Sequence, residues 1–243
     1  MSTFEHRLQQ FDPGVIWLDD NNHVVGMNGV ASQILGVAVG EVLGREVLQL
    51  HPEKSREKIA WLLDSARRTD GCPARSPPPM TMMINIPDRV LLIKLSRIFG
   101  TGGEAVGACL VFFDVTDETS REALPDEDVE RRQLFKLPVY KHNRVMLLDL
   151  ADVVYLKAGG HYTEVAMGGE HYLCNLSLAD LQGRLDPARF LRVHRSYMVN
   201  LAHAVALERE QEQHLLVMQD PTESRIPVSR SNAAQVKGLF GLA

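Results

Sequence analysis

Phe190-Leu191-Arg192-Val193-His194-Arg195-Ser196-Tyr197-Met198-Val199-Asn200 sets a basic, polar triplet, His194-Arg195-Ser196, between two mainly apolar flanks. Downstream, Val205–Glu208, His214–Met218 and Arg225–Val228 are short runs with the composition of strands. Upstream, Val145–Leu150, Val153–Lys157 and Tyr162–Ala166 read the same way. One short helix begins at Ser177, where Ser177-Leu178-Ala179-Asp180 resembles a capping box, and a last helix covers about Asn232 to Phe240. No helix-turn-helix pair occurs in this half. The chain from Leu134 onward is therefore a mostly β domain, and if it reads DNA it must do so from β-rich structure. His194, between apolar Val193 and polar Arg195-Ser196, reads as a structural hydrogen-bonding residue.

The preceding half has a different order. Val15–Asp19 and His23–Asn28 are strands around an Asp20-Asn21-Asn22 turn, and Val30–Leu35 and Val39–Leu43 are short helical turns closed by Gly36 and Gly44. In Glu53–Arg68, Ile59, Leu62, Leu63 and Ala66 fall on one helical face. After a breaker-rich loop, Asp70–Pro79, three strands follow: Met80–Ile86, Arg89–Ile98 and Val106–Val115. Thr116–Gln133 is dense in charge, contains Pro125, and reads as a linker.

The 243 residues suffice for two modest domains, and 45% hydrophobic with 23% charged content is ordinary for globular protein. Apolar runs such as Cys109–Phe113 fall far short of the roughly 18 residues that suggest a membrane span. The first ten residues lack a signal-peptide core, so a cytoplasmic protein is expected. Residues 1–133 hold 14 Lys+Arg against 20 Asp+Glu, a balance of −6, and residues 134–243 hold 12 against 11, a balance of +1. DNA binding by the second half would thus need a local basic patch. Cys72, Cys109 and Cys174 are an odd number without paired spacing, which argues against a disulfide framework, and Cys109 is expected in the core. No P-loop, Gly-rich dinucleotide turn or GxSxG elbow points to an enzyme.

The quoted stretch, with Tyr155…Gly160-His161-Tyr162-Thr163, Leu176-Ser177-Leu178-Ala179-Asp180-Leu181 and Ile226-Pro227-Val228-Ser229-Arg230-Ser231, closely resembles in family order the hallmark segments of LytTR DNA-binding domains. That resemblance implies a mostly β fold whose loop side chains enter successive major grooves of double-stranded DNA. By position, His161, Arg195 and Arg230 would be the reading residues, with Lys157, Ser196, Ser231 and Asn232 holding phosphates. An arginine can fork onto guanine O6 and N7. Some family members carry a shorter polar residue in place of Arg195, so base preference does not carry over. The first half resembles a PAS domain in element order and in its ending, Asp114-Val115-Thr116-Asp117. The expected architecture is α+β: a PAS domain over residues 1–117 (antiparallel sheet with flanking helices), a linker over 118–133, and a LytTR domain over 134–243.

His51-Pro52-Glu53-Lys54-Ser55, Gly71-Cys72-Pro73-Ala74-Arg75-Ser76-Pro77-Pro78-Pro79 and Met82-Met83-Ile84-Asn85-Ile86-Pro87-Asp88-Arg89, joined to a LytTR half, resemble the RcoM family of haem-based carbon monoxide sensors. The resemblance implies haem b, with His51 as constant axial ligand, Cys72 on ferric iron, and Met82 replacing it on reduction until carbon monoxide displaces it. It further implies an activator of CO oxidation genes, with DNA and carbon monoxide as partners. A homodimer is expected from the behaviour of PAS domains and from the advantage of engaging two DNA half-sites, and RNA polymerase is a further expected partner. A thiolate suits ferric iron and a neutral thioether the softer ferrous state. Residue by residue, other readings stand: a lone His before a helix is most often a capping or surface residue, and a Met-rich strand usually packs a core. Period-two alternation puts Met80 and Met82 on one face and Met83 on the other, so Met80 is a substitute candidate. The alternative is a PAS–LytTR regulator sensing redox state, flavin or a small metabolite. A photoactive flavin domain would need an Asn-Cys-Arg-Phe segment, and none is present.

Overall fold

The strands of the first half close into one antiparallel sheet with an apolar inner face. The computed structural model describes residues 12–51, 53–68, 80–84, 89–121, 132–141, 144–160, 162–211 and 213–241. It divides into two units after Glu118. The first contains β1 (Gly14–Leu18), β2 (Val24–Met27), α1 (Gly29–Leu35), α2 (Val39–Val42), a 3-10 turn (Val47–Leu50), α3 (Glu53–Arg68), β3 (Met80–Ile84), β4 (Arg89–Phe99) and β5 (Ala105–Asp114). The strands lie in the order β2-β1-β5-β4-β3.

The inner face presents Ile16 and Leu18 from β1, Leu91, Ile93 and Leu95 from β4, and Leu110 and Phe112 from β5. They form one buried cluster with Ile59, Leu62, Leu63 and Ala66 of α3. Burying each such leucine or isoleucine contributes about 2 kcal/mol, so the one-face stripe of α3 fixes that helix over the sheet. Asn28 joins the first strand to the first helix: its Oδ1 accepts from Val15 N (2.9 Å) and Ala31 N (2.8 Å), and its Nδ2 donates to Pro13 O (2.8 Å). Gly107 is required by close approach, since a Cβ there would lie 2.2 Å from the Leu18 carbonyl oxygen. Cys109 departs from expectation. Ala108 and Leu110 take the inward positions, so Cys109 faces away from the core, paired with the exposed Trp17, and is only half-buried. At the end of β5, Asp114 pairs with Arg89 and accepts from Thr116 N (3.1 Å), while Thr116 Oγ1 accepts from Val90 N (2.9 Å).

The second unit begins with β6 (Ser120–Arg121) paired to β7 (Gln133–Leu134). Thr119 and Ser120 are buried, and the Arg132 carbonyl accepts from Arg184 Nη1 (3.2 Å). These parts of the stretch expected as linker therefore belong to this unit, and residues 122–131 lie outside the described residues. Ten further strands follow: β8 (Lys136–Lys141), β9 (Arg144–Asp149), β10 (Tyr155–Gly159), β11 (Tyr162–Met167), β12 (Glu170–Cys174), β13 (Phe190–His194), β14 (Tyr197–Asn200), β15 (Ala204–Glu210), β16 (Gln213–Met218) and β17 (Arg225–Val228). A seven-stranded sheet runs β13-β14-β10-β11-β12-β8-β9, and a three-stranded sheet runs β15-β16-β17. Helix α4 (Leu178–Gln182) starts with a complete capping box between Ser177 and Asp180, and α5 (Arg230–Leu239) ends the described chain.

Val193 and Val199 of the large sheet, Leu216, Met218, Ile226 and Val228 of the small one, and Val236 of α5 form one buried cluster. Asn200 is fully buried and bonded on both sides: Nδ2 donates to Val153 O (2.9 Å) and Leu150 O (3.3 Å), and Oδ1 accepts from Ala202 N (3.1 Å). Among the described residues no helix is long and apolar enough to cross a membrane.

Candidate sensory and nucleic-acid-binding sites

His51 closes the 3-10 turn, its N–H donating to Leu48 O (3.2 Å), two residues before α3 begins. Arg56, one turn into the helix, donates from Nε to the His51 carbonyl (3.0 Å) and fixes the backbone there. Leu48, Leu50 and Trp61 pack part-buried against the core around this corner. Desolvation, aided by the nearby Arg56 charge, pushes the imidazole pKa down to about 4. His51 is therefore neutral at physiological pH, the state in which an imidazole binds a metal. A desolvated neutral imidazole at the edge of an apolar core fits haem iron as a donor.

Met80 and Met82 lie on β3, the edge strand. The register pairs Met82 with Leu91 and Met80 with Ile93, the β4 residues whose side chains enter the core under α3. Both methionines thus occupy register positions of the inner face, and Met83 does not. Cys72 lies outside the described residues. Among the described residues no group of three or more His, Cys, Asp or Glu gathers as a metal cluster.

In the second unit, the expected DNA contacts lie in three segments. The β10–β11 turn places Gly160 at φ +77°, a left-handed conformation that favours glycine. His161, which follows it, lies outside the described residues. On the flanking strands Lys157 pairs with Glu164 (3.1 Å), and that hydrogen bond raises the lysine pKa. The β13–β14 turn exposes Arg195, and Ser196 donates its N–H to His194 Nδ1 (3.2 Å). His194 is thus a hydrogen-bonding residue of the turn. The third segment is the start of α5, where Arg230 is exposed, Ser229 Oγ and Ser231 Oγ lie 3.0 Å apart, and Asn232 Nδ2 donates to Arg192 O (2.7 Å).

The structure brings the Arg195 and Arg230 segments together, because Ser229 N–H donates to Val193 O (2.8 Å) beside the Asn232 bond. A cleft of about 520 Å³ opens next to Arg230, lined also by His194, Ser229, Gln213 and His214. Arg192 and His214 were not singled out from sequence. Arg192 stands in the opening stretch, yet its partners lie up to 40 residues away in sequence and only the fold reveals them.

Comparison with known proteins agrees with this division. The PAS fold family matches residues 2–115 and the LytTr DNA-binding domain family matches residues 143–241. The "Heme-containing CO-sensing transcriptional regulator RcoM 1" of Paraburkholderia xenovorans is 50% identical over 99% of this chain and 93% of its own length. The "CO-responsive transcriptional regulator RcoM" of Rhodospirillum rubrum is 34% identical over the whole of both chains. Among solved structures, a LytTr DNA-binding domain from Bacillus cereus aligns with 44% of this chain and 96% of its own, at 27% identity and a TM-score of 0.40. With both domain families matched in order and half the residues shared end to end with such a relative, the chain belongs to the RcoM family.

Proposed function

We propose that this chain is a haem-containing, carbon monoxide-responsive transcription regulator, in which the first unit holds haem b and the second binds double-stranded DNA. The reading is supported above all by the near-full-length identity to RcoM relatives. The neutral, core-edge imidazole of His51 is the supporting observation within the chain itself. His51 would hold the haem iron in both oxidation states, with Cys72 as its partner in the ferric form and Met82 in the ferrous form. Haem supplies a ferrous iron that takes up carbon monoxide.

The residues of the chain then do the rest. Met82 belongs to β3, which pairs only with β4 in the described sheet; its partner Leu91 pairs in turn with Asp114, the residue bonded to Arg89 and Thr116 at the end of the domain. A change in what holds β3 therefore has a two-strand path to the domain exit. In the second unit, Arg195 and Arg230 read base edges with His161, and Lys157, Ser196, Ser231 and Asn232 lie near phosphate. The protein acts in the cytoplasm, as a homodimer that engages RNA polymerase, and has no catalytic role.

Spectra of variants test the ligand set. Cys72→Ser should change the ferric spectrum alone, and Met82→Leu should leave ferrous haem five-coordinate and quicker to take carbon monoxide. An unaltered ferrous spectrum in Met82→Leu would move the assignment to Met80 or another residue. Carbon monoxide should also change the affinity of the full-length protein for a duplex it enriches from a random library; no change would refute the coupling.

A further inference from the structure

Arg192 sits in β13 where the β13–β14 pairing shifts register, and its guanidinium is spread over two separate elements. Nη1 donates to Gln182 Oε1 (3.1 Å) at the end of α4, and Nη2 donates to the carbonyl of Arg195 (2.8 Å) in the exposed turn. Its own carbonyl accepts from Asn232 Nδ2 (2.7 Å) in the first turn of α5, and the next carbonyl, Val193 O, accepts the N–H of Ser229, the cap of that helix. The side chain of Arg192 thus holds the peptide of Arg195, and its backbone holds the segment that carries Arg230.

We propose that Arg192 is a positioning residue that sets Arg195 relative to Arg230, so that base discrimination, rather than grip on the phosphates, depends on it. This rests on the reading of the second unit as a DNA-binding domain with those two arginines at base edges. A bidentate arginine–guanine contact needs two hydrogen bonds of ordinary length at once, so a drift of about 1 Å in the turn removes it. Phosphate contacts are less demanding in geometry and survive such a drift. A planar guanidinium can span Gln182 and the Arg195 carbonyl; the single ammonium of a lysine cannot reproduce that fork.

The experiment uses the full-length protein, reduced and under carbon monoxide. A duplex is enriched by the wild-type protein from a randomised library, and binding is compared with a scrambled duplex of equal length across a salt series. Arg192→Lys keeps the charge and loses the fork. Its preference for the enriched duplex should fall by at least about fivefold, toward that of Arg195→Ala, the lower end of what one bidentate contact is worth. Its salt slope on the scrambled duplex and its thermal midpoint should match wild type. If Arg192→Lys does not fold, Gln182→Met loosens the same guanidinium from the other side and should lower the preference in the same direction.

Unchanged discrimination in a folded variant overturns the proposal. So does equal weakening on both duplexes with a shallower salt slope, which would make Arg192 a phosphate contact. Failure of the wild-type protein to enrich any duplex is a different result: it overturns the DNA-binding reading and the positioning role with it.

Discussion

Acid should weaken the first unit through His51, and the size of the effect follows from its surroundings. In the folded protein desolvation holds the imidazole pKa at about 4, against an ordinary value of 6.5. Above about pH 6.5 the side chain is neutral in both folded and unfolded chains, and the full stability is present. As pH falls from there toward 4, the unfolded chain takes up a proton that the folded chain refuses, so stability is lost; below about 4 both are protonated and the loss levels off. The shift corresponds to roughly 3 kcal/mol in full, and partial solvent access reduces this to about 2 kcal/mol at pH near 4.5. The assay is urea unfolding of the haem-free chain at pH near 7.5 and near 4.5, wild type against His51→Gln, in which titration of every carboxylate is common to both. Both tryptophans, Trp17 and Trp61, lie in the first unit, so their fluorescence reports on it alone. The wild type should lose about 2 kcal/mol more than the variant over that interval. Parallel losses, within about 0.5 kcal/mol of each other, would refute the desolvation argument.

Three other outcomes are expected. Asn200→Ala leaves the buried carbonyls of Leu150 and Val153 without its amide and should cost roughly 2–4 kcal/mol. Calorimetry should show the second unit melting on the order of 10 °C lower; a shift of a degree or two would mean water replaces the amide. Gly107→Val would press a side chain into the Leu18 carbonyl, forcing β1 from β5, and should destabilise the first unit by about 1–3 kcal/mol in the fluorescence assay. Arg195→Ala and Arg230→Ala should each cost about 1–3 kcal/mol of preference for the enriched duplex in gel-shift titrations, with the absorbance spectrum unchanged.

Local signals in the sequence were enough for several elements. Glu53–Arg68 and Arg225–Val228 have the expected bounds, because one has a clear one-face apolar stripe and the other a short strand pattern. Ser177 and Asp180 form the capping box their spacing suggests. β12 and β13 were less legible: Glu170-His171-Tyr172-Leu173-Cys174 buries only Tyr172 and Cys174, and Phe190–His194 only Phe190 and Val193. In β12 the buried Tyr172 and Cys174 do alternate with their neighbours, but the apolar Leu173 between them lies on the exposed face and hides the pattern. In β13 the buried Phe190 and Val193 stand three apart, where the pairing shifts register. Cys109 was misplaced by its apolar neighbours, since the alternation within β5 decides which face it takes. The candidate ligands were legible only through resemblance to a family, because what distinguishes His51 is desolvation at a corner built by the 3-10 turn and α3. The link from Arg192 to Asn232 spans 40 residues and depends on β13 meeting α5 in the fold.

The central claim is that the first unit binds haem and responds to carbon monoxide through exchangeable ligands. An absorbance spectrum of the purified protein, oxidised, then reduced, then reduced under carbon monoxide, tests it most directly. The account predicts a low-spin, six-coordinate Soret band that changes at each of these steps. A protein that stays colourless or yellow after haem is supplied, or whose spectrum ignores carbon monoxide, would contradict it.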